Sequence, residues 1–228
     1  MSADSGPEYK LQKGQFAGSA REVFLPSGAA DLRNGVNFVA IDFETANYDM
    51  RSACSIGAAI VERGRIVKTI SMLIRPPSVC GRFEPRFTAI HGITRDDVSG
   101  ARPFEDIWPD LFPLFDKAVL VAHNMRFDRS VLLRLIAHYK LRPPESTSLC
   151  SLGVARRAWP NLRSHSLSAV ASHLEIELDH HNAESDAAAS AAVVLCACAK
   201  YGANDIEELA SLLRCRRERL LGTRQDIR

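Results

Sequence analysis

The sequence predicts an α/β fold, a mixed sheet flanked by helices, and two observations carry that prediction. Strand-like runs from Ser55 to Glu62 and from Ile66 to Ile74 flank the turn Arg63-Gly64-Arg65 and read as a hairpin. Further along, strand-like and helical runs alternate, the pattern of parallel strands joined by crossover helices. The chain's 228 residues suffice for one good-sized core. With 46% hydrophobic and 25% charged residues, wholesale disorder is excluded. A net charge of +2 argues against coating long duplexes by charge alone, while leaving room for a local basic patch.

Taken in order, residues 1–35 mix Gly, Ser, Pro, Lys and Glu without periodicity and are expected to form a tail or loosely docked arm. The opening Met1-Ser2-Ala3-Asp4-Ser5-Gly6-Pro7 has neither the basic nor the apolar region of a signal peptide, and no apolar run approaches a membrane span. The expectation is a cytoplasmic protein, with no membrane partner and six scattered cysteines kept as thiols. Cys196 and Cys198, two apart on a helix, point to different faces and do not suit a shared zinc.

A first strand is expected from Val36 to Phe43, followed by the hairpin that Pro76-Pro77 ends. Residues 82–102 read as loop-rich, with no helix expected among them. A helix from Phe104 to Phe115 precedes the apolar run Ala118 to Ala122, a buried strand of the parallel type. The next helix runs to about Leu141, with Val131, Leu132, Leu135 and Ile136 as its apolar face. After a short strand at Ser148 to Cys150, helices are expected near 152–159, 166–174 and 183–200. A terminal helix from about Asp205 to Leu220 belongs to a C-terminal helical extension, 201–228. Trp108 and Trp159 are expected in the core.

Chemistry enters with Val39-Ala40-Ile41-Asp42-Phe43-Glu44-Thr45. Side chains alternate along a strand, so Asp42 and Glu44 share one face while Ile41 and Phe43 point into a core. Two neighbouring anions repel unless a proton or a cation lies between them. Asp128 and Asp186 each fall in the first turn of a helix, where an acid also simply complements the helix dipole. His181 stands five residues before Asp186. Together, four carboxylates carry a formal charge near four minus, which two divalent cations balance. Oxygen-only ligands favour Mg²⁺ or Mn²⁺ over zinc. A pair of such ions is the standard device for in-line displacement at phosphorus, with a neutral imidazole suited to act as general base.

Three stretches then resemble one family. Phe38-Val39-Ala40-Ile41-Asp42-Phe43-Glu44-Thr45, Ala122-His123-Asn124-Met125-Arg126-Phe127-Asp128 and His181-Asn182-Ala183-Glu184-Ser185-Asp186 are similar, in order and spacing, to the three motifs of the DEDDh 3'-5' exonucleases. This is the DnaQ-like group that includes the proofreading epsilon subunit of bacterial replicative polymerase. The resemblance implies a ribonuclease H-like fold over residues 36–200, with a five-stranded mixed sheet whose central strand carries the first motif. It also implies two metal ions, Mg²⁺ or Mn²⁺, on Asp42, Glu44, Asp128 and Asp186. The family's gap before the last Asp makes His181 the general base rather than its neighbour His180.

The segment Ile90-His91-Gly92-Ile93-Thr94 is similar to the part of epsilon-type members that contacts the terminal nucleotide, which implies substrate binding by Thr45, Ile90 and His91. Asn124 reads as a hydrogen-bonding or helix-capping residue. Arg142, Arg156, Arg157 and Arg163 form a candidate track for a phosphate backbone, whereas Arg214, Arg216, Arg217 and Arg219 read as a solvated helix face. The expected partner is a nucleic acid with a 3' end, DNA favoured over RNA, with a DNA polymerase as a further partner. Two alternatives stand beside this: an RNA-trimming exoribonuclease, and a catalytically silent module that holds nucleic-acid ends or a polymerase.

Overall fold

The structure, a computed structural model, describes residues 35–220. All but the last residue of the expected N-terminal arm, and residues 221–228, lie outside the described residues.

The consecutive apolar residues Phe38 to Ile41 give β1 (Phe38–Thr45) two buried faces, since side chains alternate along a strand. It pairs antiparallel with β2 (Ala53–Glu62), which pairs antiparallel with β3 (Arg65–Leu73). The two-residue link Arg63-Gly64 has φ of 50° and 74°, the doubly left-handed turn whose twist matches a tight hairpin. On its other edge β1 pairs parallel with β4 (Val119–Ala122), β4 pairs parallel with β5 (Thr147–Cys150), and β6 (Glu218–Arg219) runs antiparallel to β5. The sheet order is β3-β2-β1-β4-β5-β6, so β1 is interior.

Helices cover both faces. Val39, Ile41 and Phe43 pack against α2 (Phe104–Phe115) and α3 (Met125–Tyr139). Phe38 and Ala40 pack against α4 (Ser151–Ala158), α5 (Leu167–His173) and α6 (Ala183–Tyr201). Burying Ile41 and Phe43 contributes about 1.5–3 kcal/mol each, enough to hold the strand while its next two opposite-face positions carry acids. Trp108 and Trp159 are both buried, and Trp108 Nε1 donates to the Arg142 carbonyl. Among the described residues no single helix is long and apolar enough to cross a membrane.

The structure corrects four expectations. Residues 82–102 contain a helix, α1 (Pro85–His91), which begins on proline and ends on Gly92 with φ of 75°. None of its residues is buried, so it has no apolar stripe to betray it. The terminal helix stops at Leu212: α7 covers Ile206–Leu212, and Arg214 turns left-handed at φ 50°. Beyond it the chain is drawn to the sheet edge. Leu220 is wholly buried, its N–H donates to the Ser146 carbonyl at 2.9 Å, and Arg217 donates to Thr147 Oγ1 at 2.8 Å. That segment supplies β6, making six strands where five were expected. The arginines there are not one solvated helix face, since Arg217 is also ion-paired with Glu207.

Candidate active site

Three elements deliver the acids. Asp42 and Glu44 project from β1 on the face otherwise occupied by Phe38 and Ala40, beneath the start of α6. Asp128 enters from the first turn of α3 and is buried; its Oδ1 accepts the Phe43 N–H at 3.0 Å. Asp186 enters from the first turn of α6, which Asn182 caps by accepting from the N–H groups of Glu184 and Ser185. Carboxylate oxygens of Asp42, Glu44 and Asp186 lie within 4.8 Å of one another.

Crowding and burial raise the pKa values of Asp42, Glu44 and Asp128. Burial, followed by the charges of Asp128, Glu44 and Asp186, holds Asp42 well above the usual carboxylate range. Burial, then Asp186 and Asp128, pushes Glu44 up to about 8. Asp128 also rises to about 8, because burial outweighs the hydrogen bonds that favour its ionised form. Such a cluster ionises fully near neutral pH only with a cation among the oxygens. The all-oxygen donor set fits a hard divalent ion.

The two histidines divide their contacts. His180 places Nδ1 at 3.1 Å from Asp186 Oδ2. His181, left-handed at φ 69°, reaches the same oxygen only through its backbone N–H at 3.2 Å. The two rings stack with centroids 3.9 Å apart. Burial, helped by His180, lowers the pKa of His181 and keeps its imidazole neutral and able to accept a proton.

Of the expected substrate-binding residues, Ile90 is 45% exposed on α1, while Thr45 is buried. His91 joins the two. Its Nδ1 accepts the Ile93 N–H at 3.0 Å, so Nε2 carries the proton and donates to the Thr45 carbonyl at 3.1 Å. Asn124 occupies the residue before α3 in a left-handed conformation, φ 75°, and its side chain does not cap the helix. The arginine track divides: Arg142 lies over the Phe112 ring at 4.9 Å on the α2 side of the sheet, whereas Arg156 and Arg157 belong to α4 on the other side.

Sequence reasoning passed over three supporting groups. His123 accepts from Ser151 Oγ at 3.0 Å through Nδ1 and donates to the His165 carbonyl at 2.9 Å through Nε2. Thr69 Oγ1 on β3 donates to Glu184 Oε1 at 2.5 Å. Neither interaction has a sequence signal, because each joins residues distant in the chain. Asn182 did have one, as a capping residue type directly before a helical run.

A six-stranded mixed sheet whose interior strand carries paired acids, completed by acids from two helix starts, has counterparts among known proteins. The RNase_T family model, described as exonuclease, matches residues 39–194, and the chain belongs to that family. It is an exonuclease domain with a ribonuclease H-like fold. The chain is 28% identical over 183 residues to DNA polymerase III subunit epsilon of Aquifex aeolicus, covering 77% of this chain and 89% of that protein. It is 28% identical over 166 residues to the 3'-5' exonuclease DinG of Bacillus subtilis, covering 71% of this chain but only 18% of DinG. Among solved structures, Exonuclease X in complex with 5' overhanging duplex DNA superposes with a TM-score of 0.61 at 27% identity, over 77% of this chain and 99% of that one.

Proposed function

We propose that this domain removes nucleoside monophosphates from the 3' end of a nucleic acid, DNA in preference to RNA. Asp42, Glu44, Asp128 and Asp186 hold two divalent ions, Mg²⁺ or Mn²⁺, and His181 is the general base. The observation that carries the reading is the convergence of Asp42, Glu44 and Asp186 within 4.8 Å, with Asp128 buried and close enough for its charge to raise the pKa of Asp42. When bound, such ions neutralise charge on the phosphoryl oxygens and make water more acidic. Neutral His181 takes one proton of the attacking water as its oxygen bonds to phosphorus and the bond from phosphorus to the leaving 3' oxygen breaks. The leaving oxygen takes up a proton from solvent to become the new 3'-hydroxyl, and a nucleoside monophosphate departs. Asp128 is kept in place by the Phe43 N–H, and the exposed Ile90 side chain, with Thr45 and His91 behind it, receives the terminal nucleotide. Likeness to a polymerase III epsilon subunit supports a polymerase partner and a cytoplasmic setting.

The test is digestion of matched DNA and RNA oligonucleotides, labelled at either end, with Mg²⁺ or Mn²⁺. Loss of the 3' label first is expected, and faster with DNA. Asp42→Ala should abolish hydrolysis and His181→Ala should lower kcat by about 10²–10⁴-fold. His180→Ala should keep most of the activity. Equal rates for wild type, Asp42→Ala and His181→Ala would sink the mechanism, and no hydrolysis by the wild type would leave a silent end-binding module.

A further inference from the structure

The acids must meet, and what lets them meet is a missing side chain on the neighbouring strand. Gly57 of β2 is the register partner of Asp42. A Cβ built on Gly57 would lie 1.9 Å from the Ala183 carbonyl oxygen, 2.1 Å from its carbon and 2.4 Å from the Glu184 nitrogen. All three are backbone atoms of the first residues of α6, so no rotamer change relieves the clash. One strand further out, Thr69 Oγ1 donates to Glu184 Oε1 at 2.5 Å, tying the same turn of helix to β3. Asp186 lies in that turn.

We infer that Gly57 and Thr69 form a seat that sets the height of the α6 N-terminus on the sheet, and that they are positioning residues for the Asp42, Glu44 and Asp186 metal cluster. The magnitudes make the seat decisive. Restoring ordinary contact, which begins at 3.4 Å, from 1.9 Å moves the start of the helix by about 1.5 Å. Metal ligation tolerates about 0.2 Å. A displacement of about 1 Å at a reacting centre is enough to cost roughly 10²-fold in rate. Thr69 acts through its hydroxyl alone, so its contribution is the smaller of the two.

This inference rests on the metal-binding reading of the site, and the experiment separates the two. Mn²⁺ is titrated into the metal-free chain while Tm is followed, and kcat and KM are measured on a single-stranded oligonucleotide. Gly57→Ala is expected to keep the circular dichroism of the wild type. It should need at least about tenfold more Mn²⁺ for the half-maximal rise in Tm, and lose about 10²-fold in kcat with KM little changed. Thr69→Val is expected to shift both in the same direction by a few-fold, and Thr69→Ser to restore them. If Gly57→Ala does not fold, the Thr69 pair decides by the same criteria. A Gly57→Ala that lowers Tm without moving the Mn²⁺ midpoint, or a Thr69→Ser no better than Thr69→Val, overturns the seat while leaving the proposed function intact. A wild type whose Tm ignores Mn²⁺ overturns both.

Discussion

Two helix starts each bring one aspartate to the same strand, and they do it by opposite means. At α3, Asn124 turns left-handed and offers no side-chain cap, yet Asp128 is buried and tied to the backbone of β1. At α6, the Asn182 side chain caps the helix, while Asp186 is contacted by two residues of the preceding loop, His180 and His181. Asp128 is thus part of the core that carries the site, whereas Asp186 can be moved by whatever moves the α6 start.

The largest effect that tests this contrast is a separation of activity from stability. Asp128→Ala and Asp186→Ala should both abolish hydrolysis, but only Asp128→Ala should lower stability, by about 1–3 kcal/mol, because it leaves the buried Phe43 N–H unpaired. Chemical denaturation at pH 6 with EDTA measures this, and equal losses in the two variants would erase the distinction.

A smaller effect follows from charge. Glu44 and Asp128, both pushed up to about 8, keep protons that the unfolded chain has released. Their contribution to stability is therefore whole below about pH 4.5, the ordinary value for a glutamate, and is lost as pH rises through about 8. In EDTA, Tm should fall between pH 5 and 8. Asp186→Asn should flatten the slope, since Asp186 is the strongest charge raising Glu44, and saturating Mn²⁺ should offset the fall. A slope unchanged in Asp186→Asn would show that the acids do not interact.

The smallest effect concerns the caps. Asn182→Ala should cost about 1 kcal/mol, whereas Asn124→Gly should stay within about 0.5 kcal/mol, because glycine accepts the left-handed turn and no side-chain bond is lost. Thermal unfolding of the two variants would sharpen or reverse the asymmetry.

Much of this was legible in the chain because the signals are local. The two-residue period of a strand showed that Asp42 and Glu44 share a face, and helical periodicity placed Asp128 and Asp186 in first turns. The hidden parts lack local signals. α1 buries none of its residues, and β6 is two residues long, held by contacts from Arg217 and Leu220 to a strand some seventy positions earlier. Arg142, Arg156, Arg157 and Arg163 looked like one track because they are near in sequence, but the sheet runs between Arg142 and the α4 arginines.

By itself, then, the sequence determined which residues have the chemistry for the site and which elements carry them, since residue type and periodicity belong to each segment alone. Only the tertiary structure decided how far apart those residues stand. Asp186 reaches Asp42 and Glu44 because Gly57, more than a hundred positions away, has no side chain to hold α6 off the sheet. His180 rather than His181 brings a ring nitrogen within hydrogen-bonding distance of Asp186, and that choice too was made by the fold. Close approach of two backbones depends on both partners at once, and neither segment records it alone.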